Sequence, residues 1–321
     1  MSVPKIDGSR VALVKGSDPF ETTSRAIELV RGDVVVQPDE RVLIKPNCVR
    51  PVAPETGVTT DGKVVDAVIG FLLESGIRDI VIAEGGNPGT EKAFRLTGLT
   101  EVAERRGVPL VNLNEDEWEE VPITGASALE KVRIARTVLD SDRIINVPKL
   151  KIHHMAQVTL SMKNLMGVIA DNRGRVMHDC LDEKIVDLAS LFRPALNVVD
   201  GIVGAELDEV VGEPVQSNLI IAGVDMVSVD AVSAAVMGLD PDDIRHIQMA
   251  AERGLGVARL DRIDVVGEPI ASVRTRFRTE YSDRKLETYG LKKPLSEKDV
   301  AMMNASFANR DPRVDDPYRE T

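Results

Sequence analysis

The residues best equipped for chemistry lie between positions 149 and 178, KLKIHHMAQVTLSMKNLMGVIADNRGRVMH. This stretch holds His153, His154 and His178, three of the 4 histidines in the chain, together with Lys149, Lys151, Lys163, Arg173 and Arg175. The whole chain is acidic, with a formal charge of -12, so a local positive field selects an anionic ligand such as a carboxylate or a phosphate. His153 and Lys149 are candidate catalytic residues of this stretch. Lys163 stands among Leu160, Met162, Leu165 and Met166. Apolar neighbours desolvate an amine and lower its pKa, which suits a nucleophile or a cofactor anchor; a lysine snorkelling to water is the equal alternative.

The other histidines read differently. Adjacent residues point to opposite faces of a strand and diverge by about 100° on a helix, so only one of His153 and His154 is expected to face the site. His246, within DIRHIQMAAERG, reads as a surface residue on a helix. Asp200-Gly201 can position a basic group or bind a cation, and is also an ordinary turn.

Runs of β-branched and aliphatic residues alternate with helical patterns, the signature of an α/β fold with a mostly parallel sheet flanked by helices. Strands are predicted at 10–14, 41–45, 79–83, 108–111, 143–147, 196–200 and 218–222, and helices at 21–31, 60–75, 90–106, 181–193, 226–237 and 241–253. One α/β domain over 1–270 accounts for this pattern, with room for two lobes, 1–180 and 181–270, and the site between them. Residues 271–321 are polar and rich in Pro and Asp, and read as an extension without a packed final element.

In open parallel sheets ligands bind beyond the carboxyl ends of the strands. There the sequence places Lys45, Asn47 and Arg50 after one strand, Glu84 after a second, and Lys149, Lys151 and His153 after a third. Lys45, Asn47, Arg50, Lys151 and Asn164 are the candidate substrate contacts, and Lys163 and Glu84 the candidate cofactor contacts.

Several function classes are disfavoured. An acidic chain with 3% aromatic residues offers neither a basic face nor stacking platforms, so no nucleic-acid partner is expected. No apolar run reaches about 18 residues and the first residues lack an apolar signal region, so the expectation is a cytoplasmic protein without a membrane partner, free to form homo-oligomers. Cys48 and Cys180 stand alone, so no iron-sulfur cluster is expected, and both read as small buried apolar residues. There is no dinucleotide fingerprint, P-loop, nucleophile elbow or H-E-x-x-H.

LIKPN (43–47), VPKLKIHHMAQVTLSMKNLMG (147–167), VVDGIVG (198–204), DMVSVDAVSAAVMGLDP (225–241) and AAERGLGV (250–257) together resemble the family called domain of unknown function 362, over roughly residues 40 to 260. Some members of that family carry a ferredoxin-like cysteine segment, which this chain lacks. The layout is also similar, more distantly, to nickel-pincer lactate racemases. That resemblance implies a general acid/base at His153, a cofactor-tethering lysine ten residues on at Lys163, and a metal ligand at His178. A second catalytic histidine of those racemases has no counterpart here, where Gly86-Asn87-Pro88 follows the strand. Simple racemisation then requires Lys45, Lys149 or Lys151 as the second base. The implied activity is isomerase-like, on a small anionic metabolite, by proton or hydride transfer; a non-catalytic carrier of the same class of ligand uses the same lysines.

Overall fold

A computed structural model describes residues 9–171, 173–280 and 298 of the 321. Its strands are β1 (Ser9–Lys15), β2 (Arg41–Lys45), β3 (Asp79–Glu84), β4 (Leu110–Asn112), β5 (Trp118–Pro122), β6 (Lys131–Ala135), β7 (Arg143–Asn146), β8 (Lys149–His153), β9 (Gln157–Thr159), β10 (Leu196–Glu206), β11 (Glu213–Gly223) and β12 (Ile263–Gly267). One large sheet runs in the order β12-β1-β11-β10-β7-β2-β3-β4, with β8 paired to β10 and β9 to β8. Strands β7, β2, β3 and β4 are parallel neighbours, and β10 joins β7 in parallel. β11 runs antiparallel between β1 and β10, and β9 antiparallel to β8, so the sheet is mostly parallel.

The helices are α1 (Pro19–Val30), α2 (Gly62–Glu74), α3 (Thr90–Leu96), α4 (Leu99–Arg106), α5 (Arg136–Leu139), α6 (Ser161–Asn164), α7 (Arg173–Met177), α8 (Leu181–Leu191), α9 (Met226–Val236), α10 (Arg245–Glu252) and α11 (Ile270–Val273). The alternation of strand side chains divides the interior into two cores, one on each face of the sheet. Val42, Ile44, Ile80 and Ile82 pack with Ile27 of α1, Val65, Ile69 and Leu72 of α2 and Val102 of α4. On the other face Leu43, Val81 and Ile144 share a core with Ile185 and Leu188 of α8, Val229 and Val232 of α9 and Ile247 of α10. Every residue of α9 is buried, so this helix forms an inner layer. Among the described residues no helix is long and apolar enough to cross a membrane.

Several expectations are corrected. The helix expected over 90–106 is two, because Gly98 takes φ 76 between α3 and α4, a conformation that a helix interior does not allow. The stretch from Asp240 makes a single 3-10 turn, Pro241–Asp243, before α10 begins. His246 is fully buried and its Nδ1 lies 3.1 Å from Asp182 Oδ1, an acid on α8 that no local pattern could pair with it. Cys48 is buried as expected, but Cys180 is exposed, in a left-handed conformation that puts it outside α8. The sheet gains an edge strand at β12, parallel to β1, and Phe277 beyond it is buried in the core. Packing thus continues past 271, while most of the polar extension lies outside the described residues.

Candidate functional site

The site grows from polar residues at the ends of otherwise apolar strands. In register across the sheet, Lys45 of β2 opposes Asn146 of β7, which opposes Asn197 of β10. Three polar residues in a row on one buried face must satisfy one another or pay desolvation. Asn146 Nδ2 donates to Asn197 Oδ1 at 3.1 Å and to Ser161 O at 2.9 Å, while its Oδ1 accepts from Asn164 Nδ2 at 2.8 Å. Asn164 Oδ1 accepts from Asn47 Nδ2 at 2.8 Å, and Asn47 Oδ1 accepts from Lys151 Nζ at 2.9 Å. A chain of amides therefore runs from Lys151 to the middle of the sheet. Asn47 and Asn164, expected as substrate contacts, are occupied by this chain. Asn146 and Asn197 were missed; an Asn interrupting RIIN and another in LNVVD was the available signal.

Lys149, Lys151 and His153 were expected on a loop after a strand and are instead in β8, all buried. Residues two apart on a strand share a face, so the three project together. Lys149 is held 2.7 Å from Asp200 Oδ2, its register partner on β10. The Asp-Gly sequence there does position a base, though β10 continues through it to Glu206. Lys45 is likewise paired with Glu84 Oε2 at 2.9 Å, and that same oxygen accepts from Cys48 N at 3.2 Å. Lys45 and Lys149 thus face internal acids, and Glu84, expected at a cofactor, serves as a counter-charge. Gly167 is fitted over the Lys45–Glu84 pair: a Cβ there would meet Glu84 Oε1 and would sit 2.6 Å from Lys45 Nζ. Gly167→Ala is expected to cost about 1–3 kcal/mol by forcing the buried pair apart. A lowered midpoint in urea unfolding at unchanged slope checks this, and an unchanged midpoint would refute it.

Lys151 spends all three ammonium protons on Asn47 Oδ1, Val58 O at 2.8 Å and Glu209 O at 3.0 Å. Burial, reinforced by Lys163 and Lys149, lowers its pKa to about 7, with Glu209 opposing the shift. Lys163, on the short helix α6, is buried, and its Nζ lies 3.4 Å from Met166 Sδ. Two backbone N–H groups at the start of α6, from Ser161 and Met162, donate to Asp230 of α9 at 2.7 and 3.0 Å. Burial raises the Asp230 carboxyl to about 6, against those hydrogen bonds. Arg50 is half-buried and donates to Val210 O at 3.1 Å. Arg173 is buried on α7 and donates to Gly86 O and Asn114 Oδ1.

The two adjacent histidines do not diverge. Their rings stack, with centroids 4.9 Å apart and planes 11° from parallel. Strand alternation ends at His153, where a tight connection leads to β9, and His154 is freed to turn back. His153 Nδ1 accepts from the backbone N–H of Met155 at 3.0 Å and Ala156 at 3.2 Å, which leaves Nε2 as the proton-bearing nitrogen of the neutral ring. His154 Nδ1 lies 2.8 Å from Glu209 Oε2.

Among the described residues, His153, His154 and Glu209 form the group with ligand spacing for a metal, their candidate atoms lying within 4.8 Å of one another. The donor set does not suit one. A ligating histidine donates its second nitrogen's proton, whereas His153 Nδ1 accepts, and the Lys151 ammonium beside Glu209 opposes another cation. His178, the expected metal ligand, follows α7, is half-buried and does not belong to this group. The group of His153, His154 and Glu209 therefore does not suit a metal, and His178 stands apart from it.

The family described as domain of unknown function (DUF362) matches residues 42–235. A thylakoid-associated protein of Synechocystis sp. is 28% identical over 233 residues, covering 69% of this chain and 70% of that protein. The lactate racemase apoprotein from Thermoanaerobacterium thermosaccharolyticum is matched with a TM-score of 0.38 at 12% identity, over 72% of this chain. The chain spans 59% of that racemase's length.

Proposed function

We propose a function for a chain that belongs to the family described as domain of unknown function (DUF362), a description that names no reaction: it is an enzyme that binds a small carboxylate- or phosphate-bearing metabolite at the β8 rim and moves a proton on it. The observation that carries this reading is the run of Lys149, Lys151 and His153 on one buried face of β8, with Lys163 close enough to act on the charge of Lys151. With Lys149 paired to Asp200, Lys151 and Lys163 supply the positive field that favours an anion. His153 presents Nε2–H as the hydrogen-bond donor that stabilises negative charge forming on the substrate as the proton moves, while its Nδ1 is fixed by backbone amides. Lys163 holds the anion or a cofactor, and Arg50 lies where β2 leads into the rim. Hydride transfer is the variant of this reading that a bound cofactor would support. The single α/β domain of 1–270 and a cytoplasmic setting are part of the same proposal.

The test combines a panel of carboxylate and phosphate metabolites, read by calorimetric binding and turnover, with two variants. His153→Ala is expected to keep affinity within about 3-fold and lose about 100-fold or more in turnover, the scale of removing one donor to a developing negative charge. Lys163→Ala is expected to lose at least about 10-fold in affinity, the loss of one charge-assisted contact. An anion that binds the wild type and both variants alike would remove the site, and one that binds but is never turned over would leave a carrier.

A further inference from the structure

The hairpin between β10 and β11 ends in a tip, residues 207–212, that folds inward onto the cationic rim. Its base is clamped by Arg278, which donates to Glu206 Oε1 at 2.7 Å and Glu213 Oε2 at 2.6 Å. The tip closes on itself, with Asp208 Oδ1 accepting from the N–H of Val210 at 2.7 Å and of Val211 at 2.9 Å. Leu207 is held at φ 70, a left-handed conformation that costs a residue with a Cβ free energy. Strain of this kind persists where surrounding contacts enforce it: the Leu207 N–H donates to Arg278 O at 2.9 Å, and beyond it the tip is tied to the rim. Arg50 donates to Val210 O, Lys151 to Glu209 O at 3.0 Å, and the backbone N–H of His154 to Glu209 Oε2 at 3.3 Å. The same oxygen lies 2.8 Å from His154 Nδ1. The hairpin thus delivers a carboxylate into the centre that the charge pattern fits to an anion, and Glu209 is buried there.

We infer that the Glu209 carboxylate occupies this protein's carboxylate subsite, and that a substrate carboxylate binds by displacing it from His154. This rests on the anion-binding reading above and narrows it from carboxylate or phosphate to carboxylate. The recognition elements are the ring and backbone N–H groups of His154, with the Lys151 ammonium anchoring the main chain of the tip. Both N–H groups converge on one oxygen of Glu209, so the group already seated there is a carboxylate. Leu207 and Gly212 bound the segment that moves; at Gly212 a Cβ would sit 2.6 Å from Glu206 O, so the closed tip requires glycine there.

The experiment uses acetate as the probe, with inorganic phosphate as the control anion, on the full chain. In Glu209→Ala, acetate is expected to bind at least about 10-fold more tightly than in the wild type, and to raise the thermal midpoint saturably. Phosphate should give no such gain. Glu209→Gln, which keeps the bulk but lacks the charge, should fall between the two, and it supplies the readout if the alanine variant does not fold. Adding His154→Ala should abolish the gain. Equal acetate affinity in wild type and both Glu209 variants, or a gain that survives His154→Ala, would overturn the inference. The two proposals fail separately. A metabolite that binds the wild type with no acetate gain in the variants removes the subsite alone; an acetate gain with no metabolite bound by the wild type removes the enzyme reading alone.

Discussion

Asp200→Ala is expected to destabilise the protein by about 3–5 kcal/mol, the cost of leaving a buried charge without its partner. Asp200 is fully buried, and its Oδ2 accepts from Lys149 Nζ at 2.7 Å and from the backbone N–H of Asp61 at 2.9 Å. Its Oδ1 accepts from Ile202 N at 3.1 Å. Removing the carboxylate strands one ammonium and two amides at the junction of β8, β10 and α2. Desolvation decides the sign of the companion experiment. The double variant Lys149→Met with Asp200→Leu removes both charges, and replacing a buried ion pair by apolar residues is often neutral. It should recover most of the lost stability, short of the two stranded amides. Urea unfolding of wild type, single and double variants measures both effects; a double variant no more stable than Asp200→Ala would show that the pair is not the source of the cost.

That pair also shows why part of the site was legible and part was not. Lys149 and Asp200 were each visible as chemically unusual at a strand's end, but 51 residues separate them, and no local pattern announces their pairing. The apolar strands β2, β3 and β7 were legible because β-branched runs bounded by Pro, Gly and Asn leave little alternative. β8 was not, because KLKIH places Lys149, Lys151 and His153 at its alternate positions and reads as a charged segment after a strand, when internal acids and amides allow the lysines to be buried. β5 and β6 escaped for another reason: they form a separate two-stranded sheet, and Trp118, Glu119 and Glu120 are exposed, so no apolar stripe marks them. Strand alternation allowed only one of His153 and His154 to face the site, a rule that stops applying one residue beyond the strand. Glu209 gave no signal, since a carboxylate at a hairpin tip is ordinary until the hairpin is seen to fold onto Lys151 and His154.

Stability is expected to rise with pH above about 7, and Lys151 is the residue to test for it. The unfolded chain keeps this ammonium protonated up to its ordinary value of 10.5, whereas burial lets the folded chain keep it only to about 7. Between those values the unfolded state binds more protons, so the cost of burying the charge is fully present below pH 7 and is relieved as pH rises. The limiting slope is about 1.4 kcal/mol per pH unit. Lys45 is shifted the same way, by its burial against the pull of Glu84. Cys48 acts oppositely: burial raises its thiol above the ordinary 9.0, so its contribution falls as pH passes that value. The window from pH 7 to 8.5 therefore isolates the lysines. Lys151→Met should lower stability throughout, because Asn47 Oδ1, Val58 O and Glu209 O lose their donor, and it should flatten the slope in that window. A slope unchanged in Lys151→Met would assign the dependence elsewhere. The same titration bears on function with the opposite sign. Loss of the Lys151 proton weakens the field that favours an anion, so affinity for a carboxylate should fall over the pH range in which the fold becomes more stable.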